Sequence, residues 1–466
     1  MLDVEIQIPR TSSGYDLFLK CKKLPVYQVR GRTVYTDAAS YAGVFGGAES
    51  ATFDRGAHPH LFDYQQHVTD VALSRKRYAA FLDCGLGKTA IEMAWCHEVA
   101  RHGKVLILCP LAVLEDIQRF CDRFYGYRMS NLRHEQWTTD VAILNWESRR
   151  DMSSVRLAGI CLDESSILKN DAGKIRKWLT SMAAGVPFRL ACSATPTPND
   201  QAEYGTHAVW LGYVSSLSEF YGRFFVKPDK DWRLKGHAVG PFYTFLSSWA
   251  VYMQKPSAMG FADTQAEMPT EPRYHVIDTD APTYPVVGSD LFGAAIGLKD
   301  ARVVFGALRS DTSQPRFTDS CERVAGRRSI VWASRNAEEQ AFFRELGGHL
   351  VTGTTPIEER VDKIDDFRSG RVSTLVSKPS ILGFGVNLPE AEAVLYSGYT
   401  WSFEQFYQAV RRAHRFGRHG RLDVIVPVTP QERSVWDSIR RKAATFAEDV
   451  AQLQDRWKGT AGAVTS

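Results

Sequence analysis

The sequence predicts an α/β fold with two parallel sheets in tandem, each covered by helices on both faces. Three observations lead there. Short apolar runs alternate with helical patterns; the alternation stops near residue 211 and resumes near Arg328; and a glycine-punctuated turn directly follows the first such run. Strands that are apolar throughout belong to sheets buried on both faces, whereas half-exposed strands would alternate apolar with polar.

In the first domain, residues 56–211, the strand-like runs are 78–82, 105–108, 141–144, 160–162 and 189–192. Residues 113–124 read as a helix, with Val113, Ile117, Phe120, Cys121 and Phe124 at helical spacing. The second domain, 328–466, has runs at 329–332, 373–376, 393–396 and 423–426, with helical patterns at 337–346, 357–367, 403–413 and 431–454. Between them, residues 212–327 are irregular and rich in aromatics, Gly, Pro and Asp, and read as a helical and loop insertion with a linker. Residues 1–55 form a separate accessory segment, in which 26–35 suggests a hairpin turning near Gly31.

Hydrophobic residues make up 44% of the chain, which excludes a disordered protein. A net charge of +4 selects no partner by itself. The basic residues cluster in Arg75-Lys76-Arg77, in 411–421 and in Arg440-Arg441-Lys442; such clusters can follow a phosphate backbone, and solvated helix faces explain them as often. The 8 cysteines form no Cys-x-x-Cys pair and no zinc-like spacing, and read as small buried hydrophobes of a reducing compartment. The first residues lack the basic and apolar regions of a signal peptide, and no apolar stretch approaches the ~20 residues of a membrane span. The expectation is a cytoplasmic protein without membrane contact.

The glycine-punctuated turn is Asp83-Cys84-Gly85-Leu86-Gly87-Lys88-Thr89, between a strand-like run and a helical pattern at Ile91, Ala94, Trp95 and Val99. This is the context of a nucleotide phosphate loop. Gly85 and Gly87 let backbone N–H groups face a polyphosphate, Lys88 neutralises the outer phosphates, and the Thr89 hydroxyl can ligate Mg²⁺ at a helix N-terminus. The strict pattern has a glycine where this chain has Leu82, so the loop alone is moderately specific. Adjacent acids, Asp163 and Glu164, end another strand. Hydrolysis of a nucleoside triphosphate needs one carboxylate to hold Mg²⁺ and another to activate water, and these two are assigned those roles in that order. Ser193-Ala194-Thr195-Pro196 also follows a strand and can couple the nucleotide site to a neighbouring surface. In the second domain, Gln408, Arg412 and Arg415 fall at i, i+4 and i+7 of a predicted helix. One face carrying them could stabilise charge on a transferring γ-phosphate.

Taken in order, these segments resemble the motif series of superfamily 2 helicases, and most closely the Swi/Snf-type DNA translocases. Phe62-Asp63-Tyr64-Gln65 resembles the adenine-reading Q motif, 83–89 motif I, Cys109-Pro110-Leu111 motif Ia, and Asn145-Trp146-Glu147 motif Ib. Residues 163–170 resemble motif II with its extension, 193–199 motif III, 331–334 the start of motif IV, 377–388 motif V with its loop Gly383-Phe384-Gly385, and 408–418 motif VI. Within that family the chain resembles the compact DEAD/DEAH-type helicases of phages and prophages, in 231–237, 248–251 and 377–385. Two positions depart: Ser165-Ser166 stands for the Ala-His of the DEAH form, removing that histidine's contact to motif III, and Arg418 stands where remodellers have Gln.

The resemblance implies two RecA-like domains binding ATP and Mg²⁺ between them, with Gln65 reading adenine and Arg412 and Arg415 reaching the nucleotide. It implies nucleic-acid contacts at Pro110, Asn145, Lys169, Ser334, Arg335, Thr354, Ser377 and Lys378. Trp232 and Arg233 are a candidate wedge, or simply an ordered loop. The expected activity is ATP hydrolysis driving movement on nucleic acid, duplex DNA above all, by a monomer in a bacterial host cytosol, with phage or host replication proteins as candidate partners. A strand-separating RNA or DNA helicase is the alternative enzyme, and a nucleic-acid scaffold with an ATP switch the alternative of another class.

Overall fold

The computed structural model describes residues 4–9, 17–18, 20–22, 24, 26–37, 40–41, 54–169, 173–228, 232–263, 270–279, 313–382, 386–397, 400–415, 418 and 420–461. It forms two compact units, Met1–Asp263 with Phe446–Ser466, and Thr264–Thr445. At the N-terminus, β1 (Val4–Gln7), β2 (Gln28–Arg30) and β3 (Thr33–Thr36) pair antiparallel in the order β1-β3-β2. The expected hairpin is β2 and β3, and Gly31 at its turn has φ +59°, a conformation that costs glycine nothing.

The main sheet of the first unit uses β4 (Arg77–Leu82), β5 (Val105–Cys109), β6 (Ser130–Asn131), β7 (Val141–Asn145), β8 (Gly159–Leu162) and β9 (Phe188–Cys192). A separate ribbon, β10 (Phe225–Val226) with β11 (Arg233–Leu234), precedes a seventh strand, β12 (Ala250–Met253). The order is β12-β4-β9-β8-β5-β7-β6, all parallel. Every residue of β4, β5, β7 and β8 is buried, as unbroken apolar runs require. The helices are α1 (Asp63–Arg75), α2 (Lys88–Ala100), α3 (Leu114–Tyr125), α4 (Lys174–Ala183), α5 (Tyr204–Leu211), α6 (Leu217–Phe224) and α7 (Val239–Ser247). Gly159 lets α2 approach the sheet: a Cβ there would lie 2.6 Å from Val99 Cγ1 and 3.2 Å from the Trp95 ring. Strand β12 arises within the stretch that the sequence reads as irregular. Its four residues bracket no turn and helix rhythm, yet they pair from Ala250 with Ala79 to Met253 with Leu82 and close one side of the phosphate-loop strand.

The second unit has a six-stranded parallel sheet of β13 (Arg273–Asp278), β14 (Ser329–Trp332), β15 (His349–Val351), β16 (Thr374–Ser377), β17 (Ala393–Tyr396) and β18 (Asp423–Val428), ordered β13-β18-β17-β14-β16-β15. Its helices are α8 (Ser313–Val324), α9 (Asn336–Leu346), α10 (Ile357–Ser369), the short α11 (Pro379–Leu382), α12 (Phe403–Arg411) and α13 (Arg433–Ala461). Val331, Val376, Leu395 and Ile425 meet Phe342, Cys321 and Val324 in the core. Arg316, fully buried on α8, pairs with Glu338 and Glu432 at 2.5 Å each and ties three segments together. Both sheets are thus parallel and flanked by helices, the α/β architecture of two RecA-like domains.

From Phe446 onward α13 packs with the first unit. Asp449 there is 2% exposed, and its Oδ1 accepts from Tyr243 Oη at 2.6 Å and Gln201 Nε2 at 2.5 Å. Burial pushes its carboxyl up from 3.8 to about 6. The folded state therefore holds the proton more tightly than the unfolded chain, and the stability it contributes is lost as pH rises through 6. Asp449→Asn keeps the accepting oxygen without the charge. The variant is expected to gain up to about 3 kcal/mol over the wild type at pH 8, and progressively less toward pH 4, in thermal melts across that range.

Candidate functional site

Strand β4 ends at Leu82, and the chain turns through 83–87 into α2. Gly85 has φ +90° and Gly87 φ +73°. Gly87 is the N-cap of α2, and a Cβ there would also run into the Gln65 amide, so conformation and space both demand glycine. None of the described hydrogen bonds is donated by the N–H groups of Gly85, Gly87 or Lys88. With a 13-residue helix behind them, these donors form an anion cradle.

Lys88 Nζ donates to the Leu82 carbonyl at 3.1 Å. Burial works to lower its pKa; the Cys84 thiol and the Glu164, Asp163 and Asp83 carboxylates outweigh that and hold it above its ordinary value. The ammonium stays charged beside the cradle. Thr89, the next residue, is partly exposed on the first turn of α2.

Gln65, on α1, is buried. Its Nε2 donates to the Leu86 carbonyl at 3.1 Å and to Tyr64 Oη at 3.2 Å, while its Oε1 accepts the Phe62 N–H at 3.0 Å. Tyr64 Oη donates to the same Leu86 carbonyl at 2.9 Å. The amide thus props the phosphate loop, and both of its N–H bonds are committed. A base can use only the second lone pair of Oε1, an acceptor suited to an amino group such as adenine's.

Asp163 and Glu164 follow β8. Asp163 is 8% exposed; its N–H donates to Leu108 O at 2.9 Å and its Oδ1 accepts the Glu164 N–H at 2.8 Å. Burial, then the Glu92 carboxyl, push Asp163 well above the ordinary carboxylate range, while Lys88 and the Glu164 N–H oppose this. Its charged form therefore calls for a cation. The oxygen donors of Thr89 and Asp163 suit a hard ion, so this set fits Mg²⁺. Glu164 has φ +48°, left-handed backbone that a non-glycine residue adopts only when its surroundings hold it.

Sequence reasoning missed Glu92, which is fully buried one turn after Lys88 on α2. Burial and the neighbouring Cys192 hold its carboxyl well above the usual range. The i+4 spacing from Lys88 was the available signal. Tyr64, which shares the Leu86 carbonyl with Gln65, was also missed as a prop of the loop.

In the second unit, Gln408 is 3% and Arg412 6% exposed, and Gln408 Nε2 and Arg412 Nε have no partner among the described residues. Helix α12 ends at Arg411, two residues before the predicted end. Leu388 N–H donates to the Arg412 carbonyl at 2.9 Å, drawing the chain out of the helix. Gln408 and Arg412 keep their shared spacing, whereas Arg415 lies in the following turn and the i+7 argument does not reach it. Arg418 is a structural clasp: its guanidinium donates to the carbonyls of Gly420 (3.1 Å), Pro389 (3.2 Å), Arg421 (3.0 Å) and Ala391.

The nucleic-acid candidates all lie at or beyond the carboxyl ends of parallel strands, or in the turn after the acid pair. In the first unit these are Pro110 after β5, Asn145 ending β7, and Lys169 in the 3-10 turn Ser165–Lys169. In the second they are Ser334 and Arg335 after β14, Thr354 after β15, and Ser377 with Lys378 at the end of β16. Pro110 and Asn145 are buried, and the Asn145 amide donates to Glu147 at 2.9 Å. Ser377 is fully buried with its hydroxyl donated to the Val351 carbonyl at 2.8 Å, so its side chain offers no surface contact. Thr354 is exposed; Lys378 is partly exposed and reaches Glu339 at 3.3 Å. Trp232 stacks on Tyr221 at 4.3 Å with the Lys227 ammonium over its ring, an ordered packing within the ribbon region. Asn170, Asp231 and the loop 383–385 lie outside the described residues.

Fold and site define a class: a tandem RecA-like protein with a phosphate loop and acid pair in its first unit. Comparison with known proteins sharpens it. Residues 316–417 match the helicase conserved C-terminal domain. Two curated relatives from Saccharomyces cerevisiae are similar in part. The ISWI chromatin-remodeling complex ATPase ISW2 is 29% identical over 111 residues, 23% of this chain and 10% of that protein. The ATPase ISW1 is 29% identical over 108 residues, 23% of this chain and 9% of that protein. The matches thus span about a tenth of those relatives' length. Among solved structures, the Sulfolobus solfataricus SWI2/SNF2 ATPase core in complex with dsDNA aligns over 83% of this chain and 93% of its own, at 16% identity and a TM-score of 0.41.

Proposed function

We propose that this protein is an ATP- and Mg²⁺-dependent nucleic-acid motor of superfamily 2, acting as a Swi/Snf-type translocase on double-stranded DNA, of phage or prophage type, in replication, recombination or repair. The observation that carries the reading is the grouping of Lys88, Asp163 and Glu164 beside an open N–H cradle. A positive group for outer phosphates, a carboxylate wanting a cation and a second carboxylate in constrained backbone are the parts of phosphoanhydride hydrolysis. The helicase C-terminal match over 316–417 and the two yeast ATPase relatives support the same class.

In this mechanism Gly85, Gly87 and Lys88 bind the phosphates and Gln65 accepts from the adenine amino group. Thr89 and Asp163 would hold Mg²⁺, which would screen phosphate charge. Glu164 takes the proton of the attacking water, and Gln408 and Arg412 of the second unit, with Arg415, stabilise the γ-phosphate. Lys169, Arg335, Thr354 and Lys378 contact the nucleic-acid backbone, with Pro110, Asn145 and Ser334 shaping the strand ends behind them. The test is ATP turnover with single-stranded DNA, duplex DNA and RNA, joined to triplex displacement and strand-separation assays. Duplex-stimulated turnover with triplex displacement and no strand separation is expected. Efficient unwinding would replace translocase by helicase, and no turnover with any nucleic acid would leave a scaffold with an ATP switch.

A further inference from the structure

The acid pair is held from an unexpected side. Ser165, directly after Glu164, is fully buried, and its hydroxyl meets His207 Nε2 at 3.1 Å. His207 lies on α5, also fully buried, its ring in a T-shaped contact with Phe81 of β4 at 5.3 Å and 86°. An imidazole in such surroundings costs stability unless it is hydrogen-bonded. Burial also lowers its pKa to about 4, against the opposing backbone hydrogen bonds of Glu203 and Ser165, so it is neutral at ordinary pH.

The bond between Ser165 and His207 sits where the backbone needs support. The left-handed Glu164 (φ +48°) costs of order 1–2 kcal/mol relative to ordinary conformations. Three bonds hold the turn after Asp163. The Glu164 N–H is bound by Asp163 Oδ1, its carbonyl accepts the Ile167 N–H at 3.2 Å, and the next residue is bonded to His207. The first two bonds lie within the turn itself and would follow it into another conformation. The third ties the turn to α5, as the Asp163 N–H bond to Leu108 ties its start to β5.

We propose that His207 is a positioning residue for Glu164: by clamping Ser165 to α5 it keeps the left-handed turn that aims the Glu164 carboxylate. The inference rests on the proposed ATP hydrolysis for its kinetic consequence. It also supplies a histidine link between the acid-pair turn and the helix after the Ser193 segment, although the sequence has Ser165-Ser166 in place of a histidine there.

The experiment compares wild type, His207→Phe, His207→Gln, Ser165→Ala and the double variant His207→Phe/Ser165→Ala. It reads ATP turnover with duplex DNA, melting temperature, and hydrogen exchange of the 163–169 amides. His207→Phe and Ser165→Ala are each expected to lower kcat about 10-fold or more with KM for ATP within about 2-fold, because small misplacements of a reacting group are that costly. The double variant loses no more than the worse single one, as coupled partners do, and His207→Gln, which retains a hydrogen-bonding group, keeps most of the activity. Exchange of the Ile167 amide quickens about 10-fold or more in the two single variants, a readout that needs no turnover. Unchanged exchange and kcat in Ser165→Ala would overturn the clamp. So would kcat, KM and melting temperature falling together in His207→Phe without recovery in His207→Gln, which is the signature of packing alone. A wild type that turns over no ATP fails the functional reading instead, and the exchange measurement then decides the clamp by itself.

Discussion

Glu164→Gln is expected to lower nucleic-acid-stimulated ATP turnover by about 10²- to 10⁴-fold while leaving ATP binding intact, the loss typical of removing a general base. The amide fills the same space and can still orient a water, but it cannot accept a proton. Binding survives because the cradle, Lys88 and the Mg²⁺ ligands lie on other residues, with the nearest, Asp163, held by its own backbone bond to Leu108. Single-turnover hydrolysis and equilibrium binding of a fluorescent ATP analogue separate the two. Full turnover in Glu164→Gln would move the base elsewhere, with Asp163 the next candidate; loss of binding would mean that Glu164 holds the metal rather than the water.

Arg412→Ala is the second large effect, with a loss in turnover of about 10³-fold or more, the size of an arginine that stabilises transferring phosphate. Arg412 is buried with its Nε lacking a partner among the described residues, and Gln408 one turn earlier has the same property. A buried donor without an acceptor costs stability and persists where a ligand completes it. Truncation should therefore abolish stimulated ATPase yet leave the melting temperature within a few degrees, whereas Arg418→Ala, which breaks four carbonyl contacts, should lower it markedly without being a chemical loss. Arg415→Ala should fall between wild type and Arg412→Ala, because Arg415 lies beyond the end of α12. Intact turnover in Arg412→Ala and none in Arg415→Ala would exchange their roles. Intact turnover in both would remove the second unit from catalysis.

What was legible in the sequence was what neighbours along the chain determine. Five apolar runs in the first domain and four in the second became buried parallel strands, because a strand that is apolar at every position is stable only between two layers. The strand–turn–helix at 83–89 was legible because Gly85 and Gly87 are needed for local backbone reasons and the helix begins at Lys88. Strands β12 and β13 were not. The first is a fully buried apolar run of only four residues lost among neighbouring aromatics, and the second is an edge strand whose Tyr274 and Val276 remain exposed, so it lacks the pattern of a buried strand. Helix α12 was read two residues too long: past Arg411 the chain tightens, with Arg412 N–H on Ala409 O and Ala413 N–H on Val410 O, and Leu388, twenty-four positions earlier, bonds to the Arg412 carbonyl.

The sequence by itself therefore determined the α/β class, the glycine turn between β4 and α2, the placing of Asp163 and Glu164 at a strand end and the Gln408 and Arg412 spacing, all of which rest on periodicity or on residues a few positions apart. Only the tertiary structure decided that Gln65 props the loop with its amide, that Ser377 and Arg418 are spent on backbone carbonyls, that Glu92 is buried beside Asp163, and that His207 holds Ser165. Each involves a hydrogen bond or a burial between segments twenty or more residues apart, with Arg418 also using its neighbours Gly420 and Arg421, and such partners are chosen by how the elements pack rather than by any pattern along the chain.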